Sequence, residues 1–357
     1  MGYDSNIKSS RAKKQQRLTL IAIVIGLALA CVFAVNFLRR PKDTSNNNNA
    51  RKNNNNVNLA LQAKMRQNGG LASDADSNNN NSNNKKQLRT VVKNNDLEME
   101  TAQAQELVSQ LEQKVRAIKK TGVIMETDKE SLALTSQLQD ATRTLIKLRY
   151  GDFDSSIHPT PYRIKLDLEF QSTIPDFDTK GKDGTIVIEL APISLIPYSV
   201  YNFLEIARTW KKGAFHRNAG HVLQAIARSD VKQSMPFQEY SKEYPHKKYT
   251  VGYAGRPSGP EFYISIQNNS RAHGPGSQQQ HNPYEADCII GTVIQGVEDG
   301  TVARIHNMPG KEFLGDKKKW VLIRRMHILV PKDDGSDEYV EFSSSPLVIP
   351  DDWEDED

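Results

Sequence analysis

Cysteine is scarce: the chain has two in 357 residues. Cys31 lies in an apolar run and Cys288 in a strand-like one, and neither has neighbours at a metal-binding spacing. No disulfide framework can be built from the pair, so the folded part must stand on its hydrophobic core alone. Charge imbalance is also missing. The net charge is +4, from 47 Lys and Arg against 43 Asp and Glu. So mild a charge does not argue for nucleic acid, where a clustered basic face would be needed, and no nucleic-acid partner is expected. The loop "HGPGSQ" at 273–278 lacks the Lys-Ser/Thr and the helix start of a phosphate-cradling loop.

What is present comes in unequal parts. Residues 18–38 carry no charge, and only Thr19 and Asn36 are polar. At the helical rise, about 31 Å of helix results, enough to cross a hydrocarbon layer. "ALA" at 28–30 resembles a signal-peptide cleavage site, but the apolar run continues well past it. A signal-anchor helix at 18–38 is therefore expected, giving a single membrane span. Basic residues flank it almost equally, with Lys8, Arg11, Lys13, Lys14 and Arg17 before and Arg39, Arg40, Lys42, Arg51 and Lys52 after. With a short basic head at 1–17 in the cytosol, a type II topology and a lumenal domain in the endomembrane system are expected. Asn6 rules out a myristoylation signal in "MGYDSN".

Residues 39–95 are rich in asparagine, with runs at 46–49, 53–56 and 78–81. This composition buries too little apolar surface to offset chain entropy, which predicts a disordered linker acting as a stalk. Two helical patterns follow in 96–150. Ala104, Val108, Leu111, Val115 and Ile118 recur at coiled-coil spacing, as do Leu134, Leu138, Ala141, Leu145 and Leu148. A helical hairpin, a short coil joining two copies into a homodimer, and a helix pair packed on the next domain all fit. From 160 to 332 the pattern turns to short strands: "YRIKLDLEF" alternates with period two, "GTIVIEL" follows, and "PYSVYNFLEIARTW" reads as a helix opened by Pro197. Many strands and few helices predict one closed antiparallel barrel. Residues 333–357 form an acidic tail.

Five blocks, taken in order, carry a family likeness: "GTIVIEL", "PYSVYNFLEIA", "FHRNAGHVLQ", "GPEFYIS" and "ADCIIGTVIQG". Over 162–330 the chain resembles the cyclophilin family. The resemblance implies a mainly β fold, an eight-stranded antiparallel barrel with two capping helices. It also implies peptidyl-prolyl cis–trans isomerisation of proline-containing polypeptide clients, with no cofactor and no metal. Such chemistry needs neither. Peptide rotation faces a barrier of about 18–20 kcal/mol because the nitrogen lone pair is delocalised. A fixed guanidinium bonded to the twisted prolyl unit favours a non-conjugated nitrogen, which stabilises the transition state selectively.

By the family's motif, Arg217 takes the catalytic position and Gln224 the positioning one. His216 beside Arg217, His221 and Val222 of "HVLQ", Glu261 and Tyr263 of "GPEFYI", and Ile290 of "CIIG" fall at substrate-binding positions. Several depart from the pattern. His221 and Val222 stand for a Phe and a Met, and the connection from the arginine is one residue shorter. Tyr263 replaces a pocket phenylalanine. Glu261 replaces a glutamine, which brings a carboxylate where it can pair with Arg217. The pocket tryptophan has no counterpart, since Trp210, Trp320 and Trp353 lie elsewhere, and the pocket histidine position falls near Ala286 and Asp287. A long loop supplies His273, His281 and Tyr284 instead.

Two functions follow: a membrane-tethered isomerase assisting folding, or a weak or inactive module that binds proline peptides as an adaptor. A glycosyltransferase would share the anchor-and-stem layout. "DFD" at 152–154 and 176–178 has the spacing to hold a divalent ion, yet both lie outside the matched blocks. Asn80 and Asn268 head glycosylation sequons, usable only on a lumenal domain.

Overall fold

A computed structural model describes residues 77–153, 157–277, 282–310, 312–332, 334 and 336–342, with side chains from residue 95. The expected span at 18–38, the side chain of Asn80, His281 and most of the acidic tail lie outside them. Among the described residues no helix is long and apolar enough to cross a membrane. One compact unit, 83–357, holds every element below apart from the first turns of α1.

Two helices come first, α1 (Ser77–Lys119) and α2 (Lys129–Tyr150). Helix α1 starts ahead of the boundary near 95 at which the linker was expected to end. The strands are β1 (Arg163–Glu169), β2 (Asp183–Leu190), β3 (Lys212–Asn218), β4 (Val222–Arg228), β5 (Thr250–Tyr253), β6 (Phe262–Ser265), β7 (Ile289–Gln295), β8 (Glu312–Phe313), β9 (Val321–Pro331) and β10 (Tyr339–Glu341). Between them lie α3 (Phe177–Lys180), α4 (Pro197–Arg208), α5 (Ser270–His273) and α6 (Thr301–His306).

Strand β1 shows why a barrel results. Ile164, Leu166 and Leu168 are buried while the alternate Arg163, Lys165, Asp167 and Glu169 are not. A period-two stripe of this kind buries one sheet face only. The antiparallel order runs β9-β1-β2-β7-β5-β6-β4-β3, and β3 pairs back onto β9, so eight strands close on themselves; β8 and β10 extend the rim. Closure removes the free edges of these eight strands, leaving only the short β8 and β10 paired on one side. This is the architecture the resemblance implied. Phe203 of α4 fills the interior edge-on against Phe262 at 5.2 Å, and Phe262 in turn meets Phe215 at 6.2 Å. Val302 and Ile305 of α6 join the same core.

Helix α4 has Pro197 in its first turn, but its own N-cap, Ile196, offers no side-chain acceptor. Glu239 supplies one from a distant loop. Its carboxylate accepts from Ser199 N at 2.6 Å and Tyr198 N at 3.3 Å, and also from Gln139 Nε2 of α2 at 2.7 Å. One buried acid thus caps α4 and fixes α2. Beside it, the Glu239 amide reaches Cys288 Sγ at 3.0 Å; burial pushes that thiol up to about 12. A second acid, Glu205 of α4, accepts from Arg149 Nη1 at 2.6 Å and Tyr150 Oη at 2.7 Å at the end of α2.

The heptad seam goes the same way. Val108, Leu111, Val115, Leu138, Ala141 and Leu145 are buried in one core with the barrel residues. The helix pair is thus packed on the following domain, one of the arrangements the spacing allowed, and a coiled coil is not supported.

Candidate active site

Strand β3 carries a bulge. Phe215 pairs with Ala225 and Arg217 with Gln224, so His216 is the extra residue between them. A bulge re-aims the side chain that follows it. Phe215 stays fully buried in the core, and Arg217 turns out to the half-buried barrel wall. His216 is buried, with its ring 5.5 Å from that of Phe313 and 5.9 Å from that of Trp320. Burial lowers its pKa, the Glu261 charge acting against that trend.

The register then lines up a row across the outer wall. Phe313 of β8 stands opposite Arg217, Arg217 opposite Gln224, Gln224 opposite Tyr263, and Tyr263 opposite Gly252. Arg217 Nη1 donates to Gln224 Oε1 at 2.9 Å, so the expected catalytic and positioning residues are in contact. Glu261 does not pair with Arg217 as expected. Its carboxylate accepts from Gln224 Nε2, because the amide lies between acid and guanidinium and bonds to both. The acid on Arg217 is Glu312, whose Oε2 accepts from Nη2 at 3.2 Å and from Nε at 3.3 Å. The guanidinium carbon lies 4.6 Å from the centre of the Phe313 ring, which is 61% exposed.

The expected apolar pocket beside this row is closed. Tyr263 is only 2% exposed. Its ring lies across Gly252, where a Cβ would come within 2.7 Å of the phenol oxygen. The phenol donates to Asp287 Oδ2 at 3.1 Å. On its other side is His273, ring centres 4.9 Å apart, and His221 stacks on His273 at 5.5 Å. His273 Nδ1 shares Asp287 Oδ2 at 2.5 Å, and Arg256 Nε donates to Oδ1 at 2.7 Å. Burial pushes Asp287 up, but His273 and Arg256 more than offset it and hold the carboxyl below its usual range. His246, fully buried, stands 5.8 Å from His273 and 6.4 Å from Tyr263, and neither of its ring nitrogens has a hydrogen-bond partner among the described residues.

The remaining expected residues divide. Val222 and Ile290 are buried, Ile290 within the barrel core rather than on the groove wall. His221 is half-buried, with Nδ1 3.1 Å from Ala219 O. Tyr284 points to solvent at 52% exposure. Asn268 is exposed, and its Oδ1 accepts from Ser270 N at 3.0 Å. Sequence reasoning missed Arg256, His246, Glu312 and Phe313. The first two sit outside the matched blocks, and the last two reach the row only through strand pairing across some 95 positions. No cluster of three metal-ligating side chains occurs among the described residues.

No protein-family model matches the chain, and no curated protein does. Among solved structures, a cyclophilin type peptidyl-prolyl cis-trans isomerase of Cryptosporidium parvum is similar, at 17% identity and a TM-score of 0.35. The match covers 47% of this chain and 97% of that one. At that score the likeness carries no argument; the architecture rests on strand order and barrel closure.

Proposed function

We propose that the barrel is a cyclophilin-type module that binds proline-containing polypeptide along the Phe313–Arg217–Gln224 row and isomerises X–Pro bonds slowly. Arg217 is the donor to the twisted amide, and Gln224 orients it. The observation that carries the low turnover is Tyr263 at 2% exposure, covered by His273 and tied to Asp287. A prolyl ring held through rotation needs an apolar floor that it can reach, and here that floor is buried beneath polar side chains. The Nη1 contact to Gln224 at 2.9 Å keeps the isomerase reading ahead of a purely adhesive one. On sequence grounds the span at 18–38 tethers the module to a membrane with the barrel on the lumenal side.

The test is a protease-coupled isomerisation assay on the full-length chain in detergent, alongside binding of a capped proline peptide. A small acceleration is expected, abolished in Arg217→Ala. Loss of a charge-assisted hydrogen bond should also weaken peptide binding about tenfold or more. Binding that depends on Arg217 without any acceleration would make the module an adaptor. Equal rate and equal binding in the variant would remove Arg217 from the function altogether.

A further inference from the structure

The Arg217 guanidinium already has an acidic partner, and that partner sits on a weakly held piece of chain. Strand β8 is two residues long, pairs only with the end of β3, and both of its residues are exposed. Glu312 has φ +59°, in the left-handed region that residues with a Cβ rarely adopt. It is held there by its pairing with Asn218, by Leu314 N donating to His216 O at 2.9 Å, and by its own carboxylate on Arg217. One oxygen, Oε2, takes both Nε and Nη2, the fork edge of the guanidinium that best receives an incoming oxygen. Nη1 is on Gln224, and Phe313 covers one guanidinium face.

We infer that Glu312 is an internal competitor for the Arg217 guanidinium, so that a polypeptide carbonyl binds this edge only by displacing the Glu312 carboxylate. The inference rests on the reading of the row as the polypeptide site. Glu312 is a positioning residue here: it restrains Arg217 and touches no reacting atom. Because the pair is exposed at the Glu312 end, 66% for that side chain, the restraint is light and reversible. Removing the charge should release the fork edge without disturbing Gln224.

The probe is a neutral capped peptide, acetyl-Ala-Ala-Pro-Phe-amide with an uncharged fluorophore, titrated by anisotropy against the full-length chain in detergent. Glu312→Gln is expected to bind about two- to fivefold more tightly, the range an exposed ion pair spans. Raising salt should tighten binding to the native chain, since it screens the competing pair but not the neutral peptide. In Glu312→Gln that salt response should vanish, and Glu312→Asn, which tolerates the left-handed backbone, should behave likewise. If Arg217→Ala loses binding while both Glu312 variants match the native chain at every salt concentration, the competitor is refuted and the site stands. If Arg217→Ala binds normally, or no variant binds at all, the site itself falls and the competitor with it.

Discussion

Single residues decide what the barrel wall can do, and the histidines beside Tyr263 are the clearest case. His246 is held neutral: burial lowers it from 6.5 to about 4, with His273 and Arg256 adding to the shift and Asp287 opposing it. In the unfolded chain the same ring takes its proton near 6.5. The contribution of His246 to stability is therefore undiminished above that pH and falls as pH drops from about 6.5 towards 4, because the unfolded state binds the extra proton. The loss amounts to at most about 3 kcal/mol across that window. Replacing the ring by one that cannot titrate, His246→Phe, should flatten the urea-unfolding midpoint between pH 6.5 and 4.5. An unchanged slope would mean that the ring protonates in place.

At the scale of elements, the helical arm and the strands differ in how much the sequence disclosed. Period-two burial in β1 and the ordered blocks around Arg217 were legible, because alternation and strand order are written locally. The bulge at His216 was not, since two-against-one pairing depends on the partner strand. The arm misleads for a related reason: a heptad seam and one helix face packed on a domain share nearly the same spacing. Partners far along the chain, Glu239 and Glu205 among them, show that the face is turned towards the barrel. Leu145, fully buried, should accordingly support the barrel itself. Leu145→Ala is expected to destabilise it by about 2–5 kcal/mol, seen as a lower thermal midpoint. Sedimentation should stay as it was; a shift in mass with the barrel's midpoint unmoved would return the seam to a dimer.

For the whole molecule, the lumenal side proposed for the barrel can be tested at one sequon. Asn268 is exposed on the turn leading into α5, and Asn269 Nδ2 of the same sequon donates to His221 O at 3.0 Å. Expressed in full in a eukaryotic cell, the chain should lose apparent mass on glycosidase treatment, and Asn268→Gln should remove part of that loss. A chain indifferent to both would count against the lumenal side. Either face makes the same demand on its chemistry. The one thiol among the described residues is Cys288, sealed under Glu239 and Phe237 and reluctant to ionise. Only a thiolate attacks disulfides or peroxides at a useful rate. Thiol–disulfide exchange thus has no handle on the folded barrel, whether the milieu is oxidising or reducing.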